Sequence, residues 1–510
     1  MRVLLINPFF PTSRTPDKKR WYSYFPFGIA YVASYLIQKG VDVEVLDVLG
    51  ECLSIEEAKD RIKNTTADVV GITGMSSQYL YVKGLASFIK KTLNVPVILG
   101  GALSTYSYET VLKNTDVDIC VIGEGEFASY EIIENLNNPS RVKGIAFKKG
   151  TNIDVTASRT PTRNRDIIPF PAYKLFDMER YTRTSLYSEA KTAKRYTDLK
   201  CAYLITGTGC PFKCNFCSKT LSVGYRSVDN IIEEIKYLME TYNVKGFHFG
   251  DELLVINRKR MIEFAQKVKP LNILWAGQAR VDTVDYELLK IMKESGCVAI
   301  GYGIESGSQR LLDAMNKGVK LKQTENAMRW AMDLGLEMKI QLMIGYPGED
   351  QTTLQETVDF FKRIGHPGRR FNIFTPLPGS KTYNDCIRDG LIEDEEDYLH
   401  KLSLGEYGFT FSKPLMNFSN FSDEELIEKR QWAEKEMVKN YKRYLLKHPK
   451  SLLGHIGKEI GPFIKKQFKK YSRYFTLSYY RKKMKKGKID KKIRKRDSAY
   501  RYFLWLDDIS

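Results

Sequence analysis

The sequence predicts an α/β chain in three parts. These are an N-terminal, doubly wound, parallel five-stranded sheet, a series of six strand–helix units, and a mainly helical basic C-terminal region. Three observations carry that prediction. Short apolar runs alternate with amphipathic stretches through residues 1–150 and again through 201–380, the rhythm of parallel βα units. The second series has six units rather than eight, which leaves a partial (β/α)6 barrel open. Residues 441–510 hold 22 Lys and Arg against 5 Asp and Glu, so this tail carries 17 of the 19 net positive charges of the 510-residue chain.

In the first part, Val3 to Ile6 is a short apolar strand ending at Asn7-Pro8. The spacing of Ile29, Val32, Leu36 and Ile37 predicts a helix over 28–39, with Gly40 as its stop. Val41 to Val45 is the second strand, closing at Asp47, and Ser54 to Glu57 reads as a capping box opening the next helix. Val69 to Ile72, Val95 to Leu99 and Val117 to Ile122 are the third to fifth strands. Ligands on such sheets bind at the carboxyl ends of the strands. Those ends read Thr73-Gly74-Met75, Gly100-Gly101-Ala102 and Gly123-Glu124-Gly125-Glu126, and glycine lets a backbone approach a bulky ligand closely. Residues 151–200 read as a connector, extended around Pro169 and Pro171.

In the second part, an apolar run near Cys201 to Thr206 delivers Cys210-Pro-Phe-Lys-Cys214-Asn-Phe-Cys217 to a loop at its carboxyl end. The next strands end at Gly250-Asp251-Glu252, at Gly277 to Arg280, at Glu305-Ser306-Gly307, at Gly345 to Gly348 and at Pro376 to Gly379. Thiolates at this spacing favour an iron–sulfur cluster or zinc. Structural zinc wants a fourth ligand, usually from a second cysteine pair. No second CxxC occurs, and His248 is the nearest histidine. Three thiolates on a four-iron cluster instead leave one iron open for a substrate. The other cysteines, at 52, 120, 201, 297 and 386, are scattered, so no disulfide framework is expected and a cytoplasmic location is.

The cysteine stretch resembles the radical S-adenosylmethionine (SAM) superfamily. That resemblance implies a 4Fe-4S cluster whose open iron chelates SAM and whose electron cleaves it to a 5′-deoxyadenosyl radical. Phe216 matches the aromatic residue usual before the last cysteine. By the same resemblance Gly250, Asp251 and Glu252 approach the SAM amino group and Glu305 its ribose, and Ser306 also belongs to the SAM site. Gln341 and the 345–348 turn flank the adenine or sugar, and Arg280 either holds the carboxylate or pairs with Asp282. The first domain resembles the cobalamin (B12)-binding domain found ahead of many radical SAM domains. This implies cobalamin contacts at Asn7, Asp47, Thr73, Gly74, Met75, Gly100, Gly101, Ala102, Gly123, Glu124, Gly125 and Glu126. Residues 1–150 contain no histidine, so this domain offers the cobalt no histidine axial ligand; a flavodoxin-like domain that binds nothing is the alternative.

Together the two domains resemble the anaerobic cyclases and the cobalamin-dependent radical SAM methyltransferases. The resemblance implies methylation of an unactivated carbon of a lipid or secondary metabolite, with cyclisation or rearrangement as the alternative. It also implies an electron donor such as a flavodoxin or ferredoxin. A tRNA methylthiotransferase would carry a second cysteine triad in the first domain, where only Cys52 and Cys120 occur. A non-catalytic tail-anchored binding protein would have no use for the triad.

Residues 381–440 read as a small C-terminal domain able to close over the barrel mouth. It has an acidic stretch at 393–397, aromatics from Phe409 to Phe421 and a capping box at Ser422 to Glu425. In 441–510, helical spacing would put aromatics on one face and lysines on the other, which suits an anionic membrane surface. Nucleic acid is the competing partner and a solvated helix the third reading. No run of 18 apolar residues occurs, so peripheral rather than spanning contact is expected.

Overall fold

The computed structural model describes residues 1–8, 24–183, 199–219, 221–368, 370–404 and 413–448. The chain divides into two compact units, 1–186 with 199–440, and 187–198 with 441–510. Of the second, only 441–448 are described, as the end of the helix Asp423–Lys447 and His448. The rest of the basic tail, with its expected membrane face, lies outside the described residues, as does the start of the aromatic stretch at Phe409. Among the described residues no helix is long and apolar enough to cross a membrane.

The first unit is built on two sheets. In the first, β1 (Arg2–Asn7), β2 (Asp42–Asp47), β3 (Val69–Thr73), β4 (Val97–Gly100) and β5 (Ile119–Val121) run parallel in the order β2-β1-β3-β4-β5. The apolar run of β1 explains its central place. Val3 and Leu5 enter one hydrophobic cluster while Leu4 and Ile6 enter another, so successive side chains feed both faces of a sheet covered on both sides. The helix Phe27–Gln38 and the Ser54–Glu57 capping box form as the residues suggest. The sheet then gains two antiparallel strands, β6 (Ile145–Lys149) and β7 (Asn152–Val155), joined through Gly150 at a φ of 62°. The expected break at residue 150 therefore falls inside a hairpin. Its exposed edge alternates Lys149, Asn152 and Asp154 with apolar residues, so the run reads as a polar connector.

The second sheet begins with β8 (Cys201–Leu204). A two-residue hairpin, β9 (Gly207–Thr208) against β10 (Gly224–Tyr225), then brackets the cysteine loop. Next come β11 (Gly246–Phe249), β12 (Leu274–Ala279), β13 (Cys297–Glu305), β14 (Glu337–Ile344) and β15 (Phe371–Ile373). The six strands other than β9 and β10 are parallel and lie in sequence order, with β8 and β15 left as edges. This is the open partial barrel that six units predict. Trp275 anchors its helix-facing side, fully buried with ring centroids 5.7 Å from Phe249 and 5.5 Å from Phe264.

Two segments fasten the sheets together. In the connector, the Tyr181 hydroxyl donates to Asp47 (2.6 Å) and the Tyr173 hydroxyl to Glu234 on the barrel side (2.6 Å). The acidic stretch belongs to the helix Glu395–Ser403, which docks on the first domain. Glu396 accepts from the Tyr79 hydroxyl and the Lys83 ammonium, and Glu395 from the Ser107 hydroxyl. The Lys83–Glu396 side chains are 44% and 30% exposed, so that pair is worth about 1 kcal/mol at most. Leu399, wholly buried in the core beneath the first sheet, contributes about 2 kcal/mol and carries more of the docking.

Candidate functional site

The loop 210–218 has no regular structure, so its backbone hydrogen bonds must go elsewhere. Gly209, at a φ of 71°, opens it; a Cβ there would lie 2.6 Å from the Leu221 carbonyl. The Asn215 N–H donates to the Met315 carbonyl (2.9 Å) and its side-chain amide to the Ala314 carbonyl (3.0 Å). The Asn316 amide donates to the Lys213 carbonyl (2.7 Å), and both the N–H and the hydroxyl of Thr382 donate to the Asn215 carbonyl. The Ser218 hydroxyl donates to the Pro378 carbonyl (2.7 Å). A turn after β13 and a turn after β15 thus grip the loop from two sides.

Cys210 and Cys214 are half-buried and Cys217 is exposed. Although Cys217 is exposed as a residue, the groups crowded around its sulfur desolvate the thiol and push it up to about 11, and Cys214, Glu252 and Cys210 add to the rise. The three sulfurs therefore feel one another's charge, and a cationic iron–sulfur core would offset that repulsion. Among the described residues no three His, Cys, Asp or Glu side chains converge on a single ion. The Arg280 guanidinium donates to the Cys214 sulfur (3.7 Å) while its plane lies 3.6 Å from the Phe212 ring centroid. The same Arg280 makes two 2.9 Å bonds to Asp282, so it is an internal brace of the cysteine loop.

Four site residues converge at the ends of β13 and β14. A register shift between Gly303 and Glu305 bends β13, and Glu305 sits at a φ of 66°, a left-handed conformation costly for a residue with a side chain. Its carboxylate accepts from the Lys317 ammonium (3.1 Å), with both side chains at most 10% exposed. A Cβ added at Gly303 would lie 3.5 Å from the Gln341 Oε1, 3.3 Å from the Lys317 ammonium and 2.6 Å from the Glu305 carboxylate. The Lys317 ammonium also lies 5.6 Å from the Phe216 ring centroid. Phe216, Glu305 and Gln341 are thus brought together as expected, around a lysine that sequence reading missed. Nothing in the run Met315-Asn-Lys-Gly marks Lys317 in advance, because its importance comes from the turn that buries it.

Several other strand-end groups are braces. Both oxygens of Asp251 accept from the Thr206 N–H (3.1 Å each) and one from its hydroxyl (2.7 Å), which ties the end of β11 to the end of β8. Glu252, exposed on the same turn beside Gly250, is the acidic group left to face a ligand. Ser306 is buried, pairing with the Thr357 hydroxyl and accepting from the Ser308 N–H. Asp47 is closed off by Asn7, the Gly50 N–H and Tyr181, so neither Asn7 nor Asp47 is offered to a ligand. Arg165 pairs with both Glu124 and Glu126, which bind the connector. In each case the polar strand end was legible, but its partner comes from a distant segment.

A ledge remains along the carboxyl edge of the first sheet. Met75 is 55% exposed after Thr73 and Gly74, and added Cβ atoms at Gly100 and Gly123 would meet open space. Gly101 and Gly74 cross so closely that a Cβ at Gly101 would lie 2.6 Å from the Gly74 carbonyl. Ala102 starts the next helix and Gly125 backs onto Val32. An open backbone ledge of this kind suits a broad, flat ligand such as a corrin.

The turn at 345–348 is held from beneath by Glu349, whose carboxylate accepts from the Gly345 N–H. Burial pushes Glu349 from its ordinary 4.5 up to about 8, opposed by the backbone N–H groups of Gly345 and Tyr346. A carboxyl raised on folding contributes stability that is full below its unfolded value and lost as pH rises through its folded one. Stability should therefore fall from about pH 4.5 to 8 through this residue. Glu349→Gln should remove that dependence. Thermal unfolding should show the variant gaining on the wild type between pH 5 and pH 8, about; a constant difference would contradict the assignment.

Comparison with known proteins agrees with this geometry. Residues 204–361 match the Radical SAM superfamily and residues 19–133 the B12 binding domain. An uncharacterised methyltransferase of Pyrococcus horikoshii is 30% identical over 477 residues, covering 91% of this chain and 97% of its own. An anaerobic magnesium-protoporphyrin IX monomethyl ester cyclase of Rubrivivax gelatinosus is 26% identical, covering 88% of this chain and 78% of its own. Among solved structures, the radical S-adenosylmethionine methyltransferase TsrM of Kitasatospora setae, with cobalamin and a 4Fe-4S cluster bound, superposes with a TM-score of 0.62. That match has 16% identity and covers 76% of this chain and 75% of the other, so it speaks to the fold. The chain belongs to the radical SAM proteins that carry an N-terminal B12-binding domain, the family of the Pyrococcus horikoshii methyltransferase.

Proposed function

We propose that this cobalamin-dependent radical SAM enzyme is a C-methyltransferase that acts on an unactivated carbon of a small molecule. One observation carries the reading. Tyr106, on the helix that follows β4, meets Ser218 in the cysteine loop and packs on Gly379 after β15. The carboxyl edge of the first sheet therefore faces the carboxyl edge of the second, and ligands of both sheets share one space. The 30% identical methyltransferase supports the choice of reaction.

When bound, the cluster supplies the electron that cleaves SAM and cobalamin supplies the methyl-carrying metal. The chain's own residues bind, orient and exclude water. Cys210, Cys214 and Cys217 ligate the cluster. Glu305 and Gln341 accept from and orient the ribose, and Lys317 holds Glu305 in place from the Phe216 side. Glu252 takes the amino group of SAM. Met75, Gly100, Gly101 and Gly123 would present the ledge to the corrin, in a domain whose residues 1–150 contain no histidine. A flavodoxin or ferredoxin supplies the electrons.

A second reading, cyclisation or rearrangement without methyl transfer, is favoured by the similarity to the Rubrivivax gelatinosus cyclase. Product analysis separates the two. With hydroxocobalamin, a strong reductant, SAM and a candidate small-molecule substrate under anaerobic conditions, methyl transfer to the substrate carbon yields both S-adenosylhomocysteine and 5′-deoxyadenosine. Cyclisation yields 5′-deoxyadenosine alone. Cys214→Ala should abolish 5′-deoxyadenosine formation, and its survival would refute the cluster assignment.

We also propose that 441–510 docks on anionic membranes, because that segment carries 17 of the 19 net charges, with clusters of aromatics among its basic residues. Full-length chain should sediment with phosphatidylserine vesicles, and a chain ending at Asn440 should not. Equal sedimentation, or retention of the full chain by RNA alone, would count against it.

A further inference from the structure

Tyr106 lies outside every residue set that the cysteine motif or the strand ends pick out. It is a half-buried tyrosine of the first domain standing beside the cluster loop of the second. Three contacts hold it there. Its hydroxyl lies near that of Ser218, whose own proton goes to the Pro378 carbonyl. Its ring lies flat against Gly379, where an added Cβ would come 2.4 Å from a ring carbon, and where a φ of 88° further requires glycine. On its own helix the next residue, Ser107, departs from helical geometry at φ −130° and ψ 31° and donates to Glu395, which fixes the kink. Cys217 and Glu252 are close enough to act on Tyr106 electrostatically.

The position matters because Cys217 is the exposed member of the triad, and its neighbour Ser218 is held by the turn after β15 on which Tyr106 packs. We propose that Tyr106 is a positioning residue: seated on Gly379, it lets the B12-binding domain fix the turn after β15, and through that turn's bond to Ser218 the cysteine loop around Cys217. The ring, packed on Gly379, is the part that does this. This rests on the reading of the triad as a cluster site. It deepens that reading by assigning to the first domain a role in fixing the cluster loop as well as in holding cobalamin.

The test uses full-length protein carrying its reconstituted cluster, and reads the rate at which a ferrous chelator extracts iron under anaerobic conditions. Tyr106→Ala should lose iron about fivefold faster or more, since local exposure then limits release. Tyr106→Phe should stay within about twofold of wild type, because the ring remains. Ser107→Ala loosens the same helix from Glu395 without removing the ring, and should also stay near wild type. If Tyr106→Ala fails to fold, Tyr106→Leu, which keeps bulk but not the flat ring, should show the acceleration. Equal extraction from wild type and the Ala or Leu variant overturns the inference. So does acceleration in Ser107→Ala equal to that in Tyr106→Ala, which would mean general loosening. Wild-type protein that assembles no cluster would instead overturn the underlying reading, and this inference with it.

Discussion

A loop without secondary structure has to hold three thiols in fixed places, and the whole site depends on how it is held. Asn215 and Ser218 donate to the carbonyls of Ala314, Met315 and Pro378, while the Lys213 and Asn215 carbonyls accept from Asn316 and Thr382. None of those partners is local in sequence. The loop is therefore only as ordered as the barrel that brings the ends of β13 and β15 to it. These bonds are exposed or half-buried, so each contributes about 0.5–1.5 kcal/mol, and they constrain the loop by acting together. The turn at 314–317 does most in this arrangement. It binds Lys213 and Asn215, receives Arg280 at the Lys317 carbonyl, and places the Lys317 ammonium between Phe216 and Glu305.

That Lys317–Glu305 pair is a poor device for stability. Burying two charges costs nearly as much as their attraction returns, whereas removing one partner is strongly destabilising. Together with the left-handed Glu305 it marks a place where the fold tolerates strain to present a carboxylate at a strand end. The contrast with Asp251 is instructive. Asp251 is equally buried and equally placed after a strand, yet three hydrogen bonds from Thr206 consume it. Lys317 engages one oxygen of Glu305, whereas both oxygens of Asp251 are taken, and that difference decides which carboxylate at a carboxyl edge can still meet a ligand.

This distinction sets the limit of what the sequence reveals. The six parallel strands of the barrel, the five of the first sheet and the cysteine loop were legible, because apolar runs, glycines and the spacing of Cys210, Cys214 and Cys217 are local signals. The hairpin of β6 and β7 was hidden by its polar exposed edge. Asn7, Asp47, Glu124, Glu126 and Ser306 looked like ligands because their partners, Tyr181, Arg165 and Thr357 among them, lie tens of residues away. Lys317 and Tyr106 gave no local signal, since each matters through contacts that only the assembled fold creates.

The central claim is that the two cofactors occupy one space between the facing carboxyl edges of the two sheets. Electron paramagnetic resonance of protein loaded with both cobalamin and the reduced cluster tests it most directly. Neighbouring paramagnetic centres relax each other, so cob(II)alamin in the loaded chain should show markedly faster spin relaxation when the cluster is reduced than in the cluster-free Cys214→Ala variant. Identical cobalt relaxation in the two, with both cofactors bound to the wild type, would contradict the shared site.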